Sequence, residues 1–269
     1  MLKGAGGVWT AMDAWQDEDA LADQYADASN LAARQVLHAR FATADRSPHE
    51  WLFDQFDLAE DAVVLSLGSG HGALWTANAD RIPAGWDVTV TDNSAGMMMD
   101  AMEALEDVDR EFDFDSVDAR DIPYPDDTFD AATAHFVLSH LADGDREQAL
   151  SEIRRVLKPD GALYAATTGI DDLAAVFDAV AAFGGRPADG GFALENGTDQ
   201  LREQFASVER RDFEDELEIT KPEPLVASLL SLPGFDGTDA FELEEKFREQ
   251  IGDGSFVVER SVGVFVASG

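Results

Sequence analysis

The sequence predicts an α/β fold built on a doubly wound, mainly parallel sheet. Three observations carry that expectation. The first is the apolar run Val63-Val64-Leu65-Ser66-Leu67, which ends in Gly68-Ser69-Gly70-His71-Gly72 and passes into helix-compatible sequence from Ala73. A strand, a glycine turn and a helix in this order bring backbone N–H groups close to a nucleotide-type ligand. The second is the alternation of strand and helix patterns from about 62 to 168, as crossover connections in a parallel sheet require. The third is Asp92, at the end of a second apolar run, Val88-Thr89-Val90-Thr91. A carboxylate there can accept hydrogen bonds from both ribose hydroxyls, so the chain is expected to bind a ribose-containing cofactor.

The elements follow in order. Residues 18–42 read as helical, with Leu21, Tyr25, Leu31, Ala32, Val36 and Leu37 at helical spacing. Ser47-Pro48 starts a further helix carrying Trp51, Leu52 and Phe56, with Ser47 as cap and proline in the first position. Strand 62–67 precedes the glycine turn. Helix 73–80, strand 87–91, helix 95–105, a short strand over 112–117, strand 129–135, helix 143–157 and strand 161–168 then alternate. A helix over 170–183 leads to a glycine-marked loop over 184–197. A strand over 206–213, helices over 222–230 and 238–251, and one long strand over 255–267 complete the chain. Gly252-Asp253-Gly254 is read as the tight turn before that last strand, and Gly263 as a break within it. No linker divides the chain, which is expected to be one domain. Residues 1–58 would form an N-terminal helical lid and 59–168 the cofactor-binding core. Residues 169–269 would hold the rest of the sheet and the helices of an acceptor pocket.

Composition narrows the function classes. The 269 residues carry 55 acidic and 19 basic side chains, a formal charge of −36. Only Lys3, Lys158, Lys221 and Lys246 among the basic residues are lysine. The acids are spread through well-patterned elements, which argues for a salt-adapted surface rather than an acidic tail. Dense carboxylates keep a protein hydrated, and their repulsion fades where molar salt shortens the Debye length to about 3 Å. A halophilic source with a salt-rich cytoplasm is the expectation. The surface offers no basic footprint for nucleic acid or anionic lipid. The absence of cysteine excludes disulfides, thiolate metal sites and cysteine nucleophiles. No apolar run approaches membrane-spanning length, and no secretory pattern opens the chain, so a cytoplasmic protein is expected. The glycine-rich first dozen residues read as a loose tail, with Met12 as an alternative start.

The glycine motif alone leaves the cofactor open, because Gly68-x-Gly70-x-x-Ala73 also fits the loose dinucleotide fingerprint. Three further motifs carry a resemblance. They are Val117-Asp118-Ala119-Arg120-Asp121-Ile122-Pro123-Tyr124-Pro125-Asp126-Asp127-Thr128-Phe129-Asp130, then Phe136-Val137-Leu138-Ser139-His140-Leu141, then Arg154-Arg155-Val156-Leu157-Lys158-Pro159-Asp160-Gly161-Ala162-Leu163. With the glycine turn and Asp92, these resemble class I S-adenosylmethionine-dependent methyltransferases over about 62–168. The flanks, from Tyr25-Ala26-Asp27 to Arg34 and at Leu194-Glu195-Asn196-Gly197, resemble the small-molecule branch called type 11.

The resemblance implies a Rossmann-like, seven-stranded sheet whose last strand runs antiparallel. It also implies methyl transfer from S-adenosylmethionine to a small-molecule acceptor. Gly68, Ser69, Gly70 and Gly72 would let the backbone approach the methionine part of the cofactor. Asp92 would hold the ribose, with Asn93 and Ser94 beside it. Asp118 would accept from the adenine amino group and the Ala119 N–H would serve the ring. His135 would sit near the methyl group and the acceptor, as cofactor contact and candidate catalyst. Tyr25 and Arg34 would belong to the lid. No metal is implied, and five histidines scattered along the chain show no ligand spacing. One departure stands out: Ser66 occupies the position where the family usually has an acidic residue that helps anchor the cofactor's amino group. Its loss costs on the order of 1.5–3 kcal/mol at most.

Other roles compete. Asp92 is also placed to cap the helix from Ala95, and Asp118 and Asp126-Asp127 to shape turns. His135 and His140 are placed to pack or cap, and His38 and His49 to be structural or solvated. His71, where threonine or proline is common, alters the corner near Ser66. Trp75 and Met97-Met98-Met99 read as core. Two other functions stay open: a non-catalytic protein binding S-adenosylmethionine or S-adenosylhomocysteine, motivated by Ser66, and a nicotinamide-dependent oxidoreductase, motivated by the dinucleotide fingerprint.

Overall fold

The structure is a computed structural model that describes residues 18–183, 191–235 and 237–269. The glycine-rich start of the chain and the 184–190 part of the expected loop lie outside the described residues. The elements are α1 (Glu18–Gln24), α2 (Ser29–Phe41), α3 (Pro48–Phe53), β1 (Val63–Leu67), α4 (Ala73–Ala77), β2 (Asp87–Asp92), α5 (Ala95–Leu105), β3 (Phe112–Ser116), β4 (Phe129–His135), α6 (Asp143–Val156), β5 (Leu157–Thr168), α7 (Ala174–Ala179), α8 (Gly197–Leu201), β6 (Ser207–Phe213), β7 (Glu216–Ile219), α9 (Pro222–Leu230), α10 (Ala240–Ile251), β8 (Phe256–Glu259) and β9 (Val262–Ser268).

Seven strands form one sheet in the order β3-β2-β1-β4-β5-β9-β6. The β3, β2, β1, β4 and β5 strands pair in parallel, and β9 runs antiparallel to both β5 and β6. The expected sheet is therefore present, with its last strand antiparallel and inserted between β5 and β6. The order reverses at β1, between β2 and β4, which opens a crevice at the carboxyl ends of these strands. The central strands are apolar on both sides because helices cover both faces. One face is packed by Leu65, Leu67, Ile153 and Phe265, the other by Trp51, Val64, Trp75 and Val264.

Local chemistry explains several boundaries. Ser47 and Glu50 make a reciprocal capping box at α3: the Glu50 N–H donates to Ser47 Oγ at 3.2 Å and the Ser47 N–H to Glu50 Oε2 at 2.8 Å. Ser94, not Asp92, caps α5, accepting from the Met97 N–H at 3.3 Å. The apolar face of α10 comes from Leu243, Phe247 and Ile251 at four-residue spacing.

Four expectations are corrected. The helical stretch over 18–42 is two helices, because the chain turns at 25–28. The helix over 170–183 shrinks to α7, whose first turn follows Leu173 in a left-handed conformation. The run over 255–267 is two strands in different sheets: β8 pairs with β7, and β9 enters the main sheet. The break falls at Arg260-Ser261, where two polar residues leave the apolar pattern, and Gly263 lies inside β9. Finally, Met97 and Met98 are buried as expected, but Met99 is 71% exposed.

The small β7–β8 sheet has a consequence for the site. With α9 and α10 it forms a separate apolar cluster around Leu217, Val226, Leu229, Phe247 and Val258, and Leu37 and Phe41 of α2 pack into it. This anchors α2 by one face and leaves its other face over the crevice.

Candidate functional site

A cavity of about 1660 Å³ opens where the order of the main sheet reverses. Ligand pockets usually span about 300–1,000 Å³, so this one has room for a cofactor and a second molecule. Gly68, Ser69, Gly70, Asp92, Asn93, Asp118, Ala119, His135, Tyr25 and Arg34 all line it. Gly72 does not. It is buried at φ +77°, and a Cβ there would stand 3.2 Å from Leu105 Cδ1, so it turns the chain into α4 and lets that helix close on α5.

The glycine turn is built for close approach. Gly68 has φ +57°, and a Cβ on it would meet Val137 Cγ2 at 2.4 Å. A side chain is excluded both by backbone conformation and by the loop after β4. The Gly70 N–H donates to Asp92 Oδ2 at 2.9 Å, and the Ser94 N–H to Asp92 Oδ1 at 2.8 Å. Asp92 is thus fixed against the turn, and burial holds its carboxyl above the usual range despite these two donors. A half-desolvated carboxylate at a strand end is suited to accept hydroxyl hydrogen bonds.

Asp118 is less free than the sequence implies. Arg120 grips it through Nη2 to Oδ2 at 2.7 Å and Nε to Oδ1 at 3.0 Å, then reaches Asp145 at 3.3 Å. Arg120 holds the Asp118 carboxyl below its usual range. A ligand amino group at Asp118 must share it with this guanidinium.

Ser66 is buried beneath the glycine turn. Its hydroxyl meets Ser69 Oγ at 2.7 Å, Trp75 Nε1 at 3.1 Å and Thr133 Oγ1 at 3.1 Å. Where the resemblance implies a carboxylate, the chain therefore has a network of neutral groups.

The segment between α1 and α2 roofs the cavity. Ser94 Oγ donates to the Tyr25 carbonyl at 2.7 Å, and the Ala28 N–H donates to Asp100 Oδ2 at 2.9 Å. The Tyr25 ring faces the Arg34 guanidinium, 5.8 Å from the ring centroid, and its hydroxyl lies 3.0 Å from His140 Nε2. Farther along α2, Gln35 Nε2 lies 3.2 Å from His71 Nε2. This roof presses closely on α5: a Cβ at Gly96 would stand 1.8 Å from the Ala26 carbonyl oxygen.

All five histidines of the chain, His38, His49, His71, His135 and His140, line this one cavity. Sequence spacing could not reveal this, because they come from α2, α3, the glycine turn, the end of β4 and the loop after it. Burial pushes His38 and His135 down to about 3, and His49 and His140 to about 4. These imidazoles are neutral at pH 7. His135 stacks on Phe56 at 6.5 Å with the rings 17° apart. An imidazole this weakly basic acts at neutral pH by hydrogen bonding rather than by taking a proton. The next residue, Phe136, has φ +59°. A bulky side chain in that region costs about 1–3 kcal/mol, and such strain concentrates at functional sites.

A buried ion cluster closes the far end. Arg260 Nε donates to Asp172 Oδ1 at 2.8 Å, its Nη1 lies 2.8 Å from His38 Nδ1, and Asp215 Oδ2 is 3.9 Å away. Asp215 Oδ1 also accepts from the Thr43 and Ala44 N–H groups at 3.1 Å. This cluster ties the end of α2 to the loop after β5 and to the β8–β9 link. The signal was Arg260-Ser261, an interruption in a valine-rich run that strand propensity alone passes over.

With this geometry in view, similarity to known proteins is informative. Residues 64–161 match the family model described as a methyltransferase domain. The ubiquinone/menaquinone biosynthesis C-methyltransferase UbiE of Hydrogenovibrio crunogenus is 37% identical over 103 residues, which are 38% of this chain and 40% of that protein. The chain thus spans about two fifths of the length of the curated relatives it matches. Among solved structures, a SAM-dependent methyltransferase from Aquifex aeolicus is 19% identical, with a TM-score of 0.50 over 69% of this chain and 92% of that one. The cyclase SpnF is 16% identical, with a TM-score of 0.59 over 98% of this chain and 99% of that one. These likenesses establish the Rossmann-like methyltransferase fold. That one neighbour is named a cyclase shows that the fold does not by itself set the reaction.

Proposed function

We propose that this chain, whose residues 64–161 match the model of a methyltransferase domain, transfers the methyl group of S-adenosylmethionine to a small molecule. The single observation that carries the reading is the pairing of Gly70 and Asp92 across the mouth of the crevice. It sets a glycine turn that excludes side chains beside a desolvated carboxylate. The family match favours this cofactor over the nicotinamide reading of the same glycines.

The residues present fit the cofactor. Gly68, whose left-handed backbone and contact with Val137 leave no room for a side chain, would keep the turn's backbone bare beside the cofactor, and Asp92 would hold the ribose hydroxyls. Ala119 and Asp118 would serve the adenine, with Arg120 sharing the carboxylate. Gly68, Ser69 and Gly70 would face the methionine part, and Tyr25 and Arg34 would cover it from the roof. When bound, the cofactor supplies a methyl group on a sulfonium, a good leaving group already in place. The protein's contribution is then to align the acceptor, hold it in line and exclude water. The roof over 25–28 and the neutral imidazoles around His135 suit that task without a dedicated base.

The curated relatives are named for quinone methylation, which supports a small-molecule acceptor. The type 11 subgroup, a halophilic source and a cytoplasmic location belong to the same proposal. The flanking motifs motivate the first and the charge of −36 the second. No helix among the described residues is long and apolar enough to cross a membrane. The proposed single domain would use 1–58 as its lid and 169–269 as its acceptor side, of which 1–17, 184–190 and 236 lie outside the described residues. The Ser66 network favours a second reading, in which the cofactor binds weakly and no transfer occurs.

The test is incubation with S-adenosylmethionine labelled in its methyl group, a low-molecular-weight cell extract and molar potassium chloride. Label in the extracted small-molecule fraction, with matching release of S-adenosylhomocysteine, supports transfer. Binding without release supports the second reading. Binding of reduced nicotinamide cofactor and not of S-adenosylmethionine overturns both.

A further inference from the structure

The turn after β3 is built on its own carboxylate. Asp118 Oδ1 accepts the backbone N–H of Arg120 at 2.9 Å, which closes a tight turn of the kind an aspartate makes with the residue two ahead. The Arg120 side chain then folds back onto the same carboxylate. Its Nε donates to Oδ1 at 3.0 Å and to Oδ2 at 3.1 Å, and its Nη2 donates to Oδ2 at 2.7 Å. Three N–H groups of one residue thus make four contacts with Asp118. A carboxylate offers about four lone-pair sites, so the loop meets this acceptor's capacity from within itself.

The clamp is held in turn by α6. Arg120 Nη1 donates to Asp145 Oδ2 at 3.3 Å, and Gln148 Nε2 donates to the Arg120 carbonyl at 2.8 Å. Two residues on, the Ile122 N–H donates to Glu152 Oε2 at 3.1 Å. Asp145, Gln148 and Glu152 follow one face of the helix at three- and four-residue spacing. The loop and its guanidinium are therefore set in place before a ligand arrives. Asp118, Ala119, Arg120 and Asp145 all line the cavity, and the Asp118 and Arg120 side chains are half-buried.

Resting on the methyltransferase reading above, we infer that Arg120 sets the base specificity of the cofactor site. By satisfying Asp118 itself, it makes the site take a purine nucleoside whether or not the base carries a 6-amino group. A site discriminates strongly when an analogue leaves one of its polar groups unpaired. Asp118 is paired with Arg120 in either case, so a missing amino group strands nothing. The amino group also meets a carboxylate whose charge the guanidinium already offsets. What else faces the base is the Ala119 backbone, with the apolar side chains of Val117, Leu141 and Ala142 in the same wall. These contacts respond to the ring and its shape, not to the group at its sixth position.

The test compares S-adenosylhomocysteine with its 6-deamino analogue, which has hydrogen in place of the amino group and is otherwise identical. Both are titrated calorimetrically into the full chain in molar potassium chloride, with folding followed by circular dichroism. The wild-type protein should bind the two within about threefold of each other. Arg120→Met removes the clamp and keeps the Gln148 and Glu152 contacts, which hold backbone groups. That variant should prefer the amino compound by about tenfold or more, the worth of a hydrogen bond to a carboxylate left without its partner. Adding Asp118→Ala to Arg120→Met should erase the preference, which a general loosening of the loop would not do. A wild-type preference beyond that range, an Arg120→Met preference no larger than the wild type's, or one that survives in the double variant overturns the assignment. Each of these results leaves the methyltransferase reading standing. Failure of folded wild-type protein to bind S-adenosylhomocysteine overturns that reading, and this inference with it.

Discussion

Replacing Gly96 with alanine should weaken cofactor binding without unfolding the protein. The new Cβ would lie 1.8 Å from the Ala26 carbonyl oxygen and 2.9 Å from its carbonyl carbon. Restoring an ordinary C···O contact of about 3.3 Å moves the roof away from α5 by roughly 1.5 Å. Two hydrogen bonds cannot survive that shift: Ser94 Oγ to the Tyr25 carbonyl, and the Ala28 N–H to the Asp100 carboxylate. The neutral bond contributes about 1 kcal/mol and the charged one about 1.5–3 kcal/mol. If the roof must close for the cofactor to be held, losing most of this stabilisation, about 2–3 kcal/mol, raises Kd roughly 30- to 150-fold. Alanine also strengthens α5 by up to about 1 kcal/mol over glycine, and the damage is local to the roof, so the unfolding midpoint should move little. Gly144→Ala is the matched control. It also sits second in its helix, and nothing lies within 4 Å of its added Cβ. Calorimetric titration of S-adenosylhomocysteine into both variants checks the argument. A Gly96→Ala variant that binds within threefold of wild type would refute the roof-closure reasoning.

Other consequences are equally open to measurement. Ser66→Asp should tighten S-adenosylmethionine binding by roughly tenfold or more, the equivalent of about 1.5 kcal/mol. The Ser69, Thr133 and Trp75 donors stand ready to take the new carboxylate, and unchanged affinity would show that the carboxylate is not missed. Arg260→Met should destabilise the protein by about 3–5 kcal/mol in urea unfolding, because it leaves Asp172 and Asp215 buried without their cation; a loss under 1 kcal/mol would contradict a structural role for the cluster. Acid should also destabilise the fold early. His38, His49, His135 and His140 have folded pKa values of about 3–4 against 6.5 unfolded. The unfolded chain therefore binds more protons between these values. The stability these groups contribute is complete above 6.5 and lost as pH falls toward 4. Proton uptake on unfolding at pH 5 should approach four, and an uptake near zero would mean that the histidines are solvated.

The sheet was legible because parallel strands buried on both faces write themselves as apolar runs, and because Gly68-Ser69-Gly70 and Asp92 stand at fixed positions after such runs. Helix starts with side-chain caps were legible too: Ser47-Pro48 marks α3 from two residues of sequence. Two kinds of feature were not. The short β7 and β8 strands pair with each other outside the main sheet, and their four-residue alternation cannot be told from loop or from the neighbouring strand. The histidine cluster and the Arg260 ion cluster are products of tertiary convergence. His38, His49, His71 and His135 lie in four different elements, so no spacing in the chain reports that they share a wall. Asp118 shows a third case. Its motif implies a free carboxylate, and only the folded loop shows Arg120 lying across it.

The most direct measurement is calorimetric titration of S-adenosylmethionine and S-adenosylhomocysteine into the wild-type protein and Asp92→Ala in molar potassium chloride, with folding confirmed by circular dichroism. The account predicts saturable binding at one site in the wild type, and loss of binding in a folded Asp92→Ala variant, because the carboxylate that fixes the glycine turn and would hold the ribose is gone. No binding by folded wild-type protein, or equal binding by the variant, would contradict the assignment of this crevice as the cofactor site.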